Sequence, residues 1–288
     1  MNADKWLEHR ATKEQLDFFE EQGYLIIENA IDADLLGRVN EAADRVWARE
    51  REKFGASKDV LLNKFRTIIE DDTFFELLDN PKTFPLMWDI LGWNIQYYIS
   101  HLIIYPPEKN IVKNPPRGWH QDGGRPVAEI ERPQPRMSLK VSYWLSDVDG
   151  PEHGAMCIIP GSHKAQTTPE ACKTGEGVVQ LFVKAGTAVI FDRRMVHSRG
   201  YNTSDRHRRA IFIGYSYRWL RGLDFNNFPE DILEKCDPIR RQMLGDGVDV
   251  KGWWQPTDAD VPLKTWLEEK LGKDYVKSLD KTIPFNRV

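Results

Sequence analysis

The sequence predicts a mainly β protein with flanking helices, and three observations point there. The stretch Ile95–Tyr105, IQYYISHLIIY, is dense in β-branched and aromatic residues, the composition that suits a pleated, buried strand. It opens a series of short strand patterns at about 117–122, 136–146, 155–160, 178–183, 187–192 and 207–219. Turn clusters separate them, among them Pro115-Pro116, the run from Asp147 to Pro151, and Ala185-Gly186. Many short strands between turns suggest a sandwich or barrel, a set that includes jelly rolls.

The flanks read differently. Thr12-Lys13-Glu14-Gln15 has the form of a capping box, and Leu16, Phe18 and Phe19 supply an apolar face, so a helix is expected over 12–22, stopped by Gly23. Tyr24-Leu25-Ile26-Ile27 is a short strand. From Asp32 to Arg51, Leu35, Leu36, Val39, Ala42, Ala43 and Val46 recur at helical spacing. More helix is expected around 72–91, interrupted near Pro81 and Pro85, and the tail from about 226 turns helical again. Trp253-Trp254 should either pack the C-terminal extension over the barrel mouth or fill the core. With no internal repeat or low-complexity linker, the expected organisation is one domain over 1–288: a helical layer (1–94), a β core (95–220) and a helical extension (221–288).

Composition narrows the function classes. A chain of 288 residues supports a large core, and 41% hydrophobic with 29% charged residues is ordinary for a globular protein. A net charge of -4 provides no basic field for nucleic acid. The clusters Arg193-Arg194, Arg208-Arg209 and Arg240-Arg241 have solvated surface as their default reading. Three cysteines, Cys157, Cys172 and Cys236, form neither a disulfide framework nor a zinc knuckle. No apolar run is long enough for a membrane span, and the first residues lack a signal-peptide layout. The expectation is a cytoplasmic, soluble, reduced protein, in which the sequon Asn202-Thr203-Ser204 is accidental. No Walker-A or dinucleotide fingerprint is present, and Pro160-Gly-Ser-His163 reads as a turn and not a nucleophile elbow. Nothing in the pattern specifies an oligomeric state.

The segment Gly118-Trp-His-Gln-Asp-Gly123 raises a metal hypothesis. His-x-Asp alone is weak, because chance supplies it readily in a chain with 7 His and 44 acidic residues. On a strand, however, His120 and Asp122 would share a face, and Gly123-Gly124 would let the chain turn away. Downstream, the strand Thr187-Ala-Val-Ile-Phe-Asp192 is followed closely by His197. Two His and one carboxylate on one face of a metal form the facial triad of non-haem Fe(II) oxygenases; zinc with a bound water also suits such donors. The bland reading is three hydrogen-bonded polar residues. Arg208 opens a further strand and could grip a dicarboxylate by a bidentate pair, whereas Arg209 would point the other way. Its bland reading is an exposed strand start.

Together these residues resemble the phytanoyl-CoA dioxygenase family of Fe(II)/2-oxoglutarate-dependent oxygenases, over roughly 12–220. The resemblance is carried by the run from Thr12 to Asn29, by Trp119-His-Gln-Asp-Gly123, by Tyr143-Trp-Leu-Ser-Asp147 with the run from Gly154 to His163, and by Gly186-Thr-Ala-Val-Ile-Phe-Asp192 followed by His197 and Arg208. It implies a double-stranded β-helix, a cupin-like jelly roll, with iron on His120, Asp122 and His197 as the catalytic centre. It also implies that Arg208 binds the distal carboxylate of 2-oxoglutarate and that O2 is the oxidant. The chain departs from the pattern at His153, where relatives often carry Asn. It departs again at Arg199, where many carry a small hydroxyl residue that helps hold 2-oxoglutarate. Because Asp122 is retained, hydroxylation of a small organic molecule is expected over halogenation, with succinate as co-product. His101, Arg125, Tyr143, Trp144, Arg194, Tyr215 and Trp219 are candidate substrate contacts. The competing readings are a cupin-type metalloenzyme acting as hydrolase or isomerase, and a non-catalytic binding protein on the same scaffold.

Overall fold

The computed structural model describes residues 3–109, 117–249 and 251–281. Among the described residues, ten strands lie in two antiparallel sheets: β1 (Tyr24–Ile27), β2 (Leu62–Phe65), β3 (Ile95–Tyr105), β4 (Arg117–His120), β5 (Ser138–Trp144), β6 (Met156–Ile158), β7 (Val179–Leu181), β8 (Ala188–Asp192), β9 (His197–Arg199) and β10 (Arg208–Tyr217). The larger sheet has the order β1-β8-β5-β10-β3-β2, the smaller β4-β9-β6-β7. The eight strands from β3 onward pass between the sheets in the jelly-roll manner. β1 and β2 extend the larger sheet at its two edges.

Period-2 alternation divides the larger sheet between two cores. Leu139, Val141 and Tyr143 of β5, Ala188 and Ile190 of β8, and Ile211, Ile213 and Tyr215 of β10 face the flanking helices. Trp144, Val189, Phe191, Ala210 and Phe212, their alternates, face the smaller sheet. The helix-side core runs from Trp6 to Leu279 and joins the N-terminal and C-terminal layers. Trp6 is its knot: the ring packs edge-on against Phe84 (5.0 Å), Trp88 (5.8 Å) and Trp266 (5.2 Å), and its Nε1 donates to the Asp79 carbonyl at 3.0 Å.

The N-terminal helix Lys13–Gln22 has the expected capping box: Thr12 Oγ1 accepts from Gln15 N at 3.2 Å, and Thr12 N donates to Gln15 Oε1 at 3.0 Å. Gly23, at φ 84, closes it. The second helix runs Ala33–Phe54, three residues past its expected end, to a left-handed Gly55. Pro85 does not interrupt a helix. It sits in the first turn of Phe84–Leu91, where a missing N–H leaves no bond unmade. The Pro160–His163 turn clasps the end of the first helix, with Gly161 N on the Gln22 carbonyl (2.9 Å) and His163 Nε2 bonded to the Glu20 carbonyl (3.1 Å).

Several expectations are corrected. β2 and β9 have too few residues to show periodicity, and pairing with β3 and with β4 and β6 defines them. Trp253 and Trp254 are 49% and 63% exposed and fill no core. The Arg clusters are not simply solvated: Arg193 and Arg208 are buried, and Arg240 pairs with buried Asp79 at 2.5 Å. Asn202 is fully buried, its amide donating to the Tyr105 and Arg206 carbonyls, so the sequon is inaccessible in the folded chain. No helix among the described residues is long and apolar enough to cross a membrane. The Pro115-Pro116 turn lies outside the described residues.

Trp6→Ala should cost about 3–5 kcal/mol, the range for emptying a buried aromatic site. Urea unfolding followed by far-UV circular dichroism measures it, and a loss below 1 kcal/mol would mean that the two helical layers are not joined through this ring.

Candidate metal centre

β4 and β9 pair in register at His120 and His197, which brings the two imidazoles side by side with ring centroids 4.3 Å apart. Each ring is oriented by a carbonyl two residues before it. His120 Nδ1 donates to the Gly118 carbonyl at 2.7 Å, and His197 Nδ1 donates to the Met195 carbonyl at 3.0 Å. A carbonyl only accepts, so Nδ1 is the donor in each ring and Nε2 is the nitrogen available to a metal. Burial lowers the His197 pKa to about 4, which keeps this ring neutral at physiological pH.

Asp122 reaches the same point by a different route from the one expected. β4 ends at His120, so strand alternation does not aim Asp122. Its backbone is clamped by Arg193: Asp122 N donates to the Arg193 carbonyl at 2.9 Å, and Arg193 Nη1 donates back to the Asp122 carbonyl at 3.2 Å. Gly123 makes the clamp possible. Its φ is 133°, and a Cβ there would lie 2.1 Å from Arg193 Nη1. The carboxylate oxygens lie 3.9 Å from each His Nε2, and the three candidate ligand atoms all fall within 4.8 Å of one another. Burial by itself would raise the Asp122 carboxyl. Lys140 Nζ at 2.9 Å, then His197, outweigh it and hold the pKa at about 2. Two imidazoles with Nε2 directed inward and an ionised carboxylate on one face suit a divalent metal of the facial-triad type, with zinc also compatible.

The loop into β9 is fixed by Asp192, which is fully buried. Arg194 grips it bidentately (2.8 and 2.7 Å), and Arg136 Nε reaches it at 2.7 Å while pairing outward with Glu20. Met195 N, donating to the Asp192 carbonyl at 2.9 Å, and Val196 N, donating to Ser162 Oγ at 2.8 Å, then set the approach to His197.

The triad lines a cavity of about 310 Å³. Arg208, also buried, lines it too, its guanidinium 4.7 Å from the centre of the Trp144 ring. Its Nε is buried without a partner among the described residues. Burial, then the charge of Arg199, lower its pKa to about 10, so it stays protonated at neutral pH. Arg199 also lines the cavity, stacked on Tyr105 at 3.7 Å and paired with Glu108 at 3.3 Å.

Of the candidate substrate contacts, His101 lines the cavity. Trp144 stands behind Arg208 and orients it. Tyr143 and Tyr215 face the opposite side of the sheet, where alternation puts them, with Tyr143 Oη bonded to Thr83 (2.6 Å) and Leu77 (2.8 Å) and Tyr215 Oη to Leu78 (2.5 Å). Arg194 is committed to Asp192. Trp219 stacks on Tyr217 beside a separate hollow. Arg125 begins a short helix, and its side chain lies outside the described residues. Lys140 and Arg193 were missed, because a lysine inside a strand and an arginine in a loop carry no signal until the fold gives them a partner.

Two substitutions probe this scaffold. Gly123→Ala should weaken Co(II) binding roughly tenfold or more by opening the Arg193 clamp, and an unchanged titration would show that the clamp does not set the carboxylate. The Asp192 carboxyl is raised by burial but lowered further by Arg194 and Arg136, so its net pKa lies below the ordinary value. Its stabilisation is therefore present above about pH 4 and lost as pH falls through the native pKa. Asp192→Asn should lower stability at neutral pH by about 3 kcal/mol and flatten the acid limb of a Tm-against-pH profile. An acid limb identical to the wild type would remove Asp192 from that role.

Known proteins share this architecture. The chain is 24% identical to bovine peroxisomal phytanoyl-CoA dioxygenase over 277 residues, spanning 84% of this chain and 80% of the bovine one. It superposes on the crystal structure of EctD from S. alaskensis with bound Fe at a TM-score of 0.60, with 21% identity over 75% of this chain and 80% of EctD. It also superposes on HygX from Streptomyces hygroscopicus with nickel and 2-oxoglutarate bound, at 0.57, with 16% identity over 72% and 87%. The family model for phytanoyl-CoA dioxygenase (PhyH) matches residues 19–210, and the chain belongs to that family.

Proposed function

We propose that the protein is an Fe(II)/2-oxoglutarate-dependent dioxygenase that hydroxylates a C–H bond of a small organic molecule and converts 2-oxoglutarate to succinate. The observation that carries this reading is the company the triad keeps. Three convergent metal donors share one cavity with a buried, protonated guanidinium that has no carboxylate partner among the described residues. An unpaired buried charge is costly, and a dicarboxylate co-substrate would relieve it.

His120, Asp122 and His197 would hold the iron, which when bound supplies the activation of dioxygen that couples 2-oxoglutarate decarboxylation to C–H oxidation. The chain's part is orientation. The carbonyls of Gly118 and Met195 fix both imidazoles in the metal-binding tautomer, and Lys140 keeps the Asp122 carboxylate ionised. Arg208, pressed against Trp144, would hold the distal carboxylate of 2-oxoglutarate by charge-assisted hydrogen bonds. Arg199 is kept on the cavity wall by its stacking on Tyr105 and its pairing with Glu108. The apolar walls, Phe191 and Phe212 among them, would exclude water from the reacting centre. The helix-side core from Trp6 to Leu279 supports reading the chain as one functional unit.

The test is anaerobic addition of Fe(II) and 2-oxoglutarate to the apo-protein, recorded in the visible range. A metal-to-ligand charge-transfer band is expected, and Arg208→Gln should raise the apparent 2-oxoglutarate Kd by roughly thirtyfold. Iron binding without a band would favour the cupin-type reading instead.

A further inference from the structure

β2 adds a ledge to the cavity rim, outside the eight strands of the jelly roll. Leu61 and Asn63 line the cavity, and Phe65, two residues on, stacks face-on against His101 with centroids 5.2 Å apart. His101, on β3, is held on its other side by Phe212 at 4.9 Å. Its Nδ1 lies 3.1 Å from Asn63 Oδ1, an acceptor, so Nδ1 donates. Burial above all, with a contribution from Lys140, lowers the His101 pKa to about 3, so the ring is neutral at physiological pH. A neutral ring that donates through Nδ1 presents Nε2 as an acceptor. That nitrogen is buried without a partner among the described residues, on a ring that lines the ligand cavity.

Buried acceptors are rarely left empty, because the lost hydration is not recovered. The nearby charges do not call for an ionic ligand. Lys140 is paired with Asp122, and Arg199 with Glu108, while Arg208 is given to the co-substrate in the reading above. With Lys140 balanced by Asp122, the positive charge of Arg208 also disfavours an ammonium donor next to His101. The remaining surface there, Leu61, Ile103 and Phe212, is apolar.

Resting on the proposed function, we propose that His101, held by Asn63 and the β2 ledge, is the specificity-determining contact for the prime substrate. The substrate is then a neutral, largely apolar molecule with a hydroxyl group that donates to His101 Nε2.

The test uses a matched pair of probes, 2-naphthol and 2-methoxynaphthalene, which differ in the donor. Their Kd values are measured by ligand-detected NMR on the zinc-loaded protein with 2-oxoglutarate present. The wild type should bind the naphthol roughly five- to tenfold tighter than the ether. His101→Phe keeps the ring stacking but lacks the acceptor, and should abolish the preference. His101→Gln, which regains an acceptor, should restore part of it. Both variants should keep the iron and 2-oxoglutarate charge-transfer band, which shows that they are folded. Equal binding of the two probes by the wild type, binding of neither, or a preference that survives in His101→Phe would overturn the assignment. Absence of the wild-type band, with the naphthol preference intact, would instead overturn the co-substrate reading and leave His101 as a ligand contact.

Discussion

The larger sheet is buried on both faces, and each of its central strands must therefore satisfy two environments with alternate residues. On the helix side this requires bulky apolar groups, which Leu139, Val141, Ile190, Ile211 and Ile213 supply. On the inner side the demand changes along the strand. Trp144, Phe191 and Phe212 fill space, while Lys140 and Arg208 carry charge into the cavity. A shift of one residue in register would exchange these sets, burying Lys140 and Arg208 among helix-side hydrocarbon. The hydrophobic core and the site chemistry are thus enforced by the same pairing, and the helices that cover the sheet hold the site as firmly as anything near it.

Buried charge is managed in a consistent way around the site. Asp192 is met by two guanidiniums and Asp122 by Lys140, while the half-buried Glu108 pairs with Arg199. Pairing offsets much of the desolvation cost, and breaking one partner would expose the full penalty on the other. Arg208 is a buried cation over an aromatic face that lines the cavity, without a carboxylate among the described residues. In the proposed reading, this cation and His101 Nε2 are the groups that a ligand would satisfy.

The motifs that looked catalytic and those that looked structural exchange some of their roles in three dimensions. The Pro160–His163 segment, the most recognisable part of the resemblance, performs no chemistry visible in its contacts. It docks the first helix against the barrel and, through Ser162, steadies the approach to His197. Arg194 beside it is a brace for Asp192. Tyr143 and Tyr215 anchor helices through their hydroxyls instead of meeting a ligand.

Local pattern by itself determined eight of the ten described strands, the capped first helix and the identity of the metal-donor and Arg208 candidates. Capping boxes, period-2 alternation and turn residues act over a few positions and need no distant partner. Their order along the chain was specific enough to carry the family resemblance. What the tertiary structure decided were the features that exist only between distant segments. The Arg193 clamp on Asp122, the Lys140 ion pair and the β2 ledge with Asn63 against His101 join residues far apart in sequence. The same holds for the division of Tyr143, Trp144 and Tyr215 between two faces, since a face is defined by what covers it. A lysine in a strand or a histidine in an aromatic run has no meaning until the fold fixes its neighbours, because burial and partner charge, not residue type, set what such a group can do.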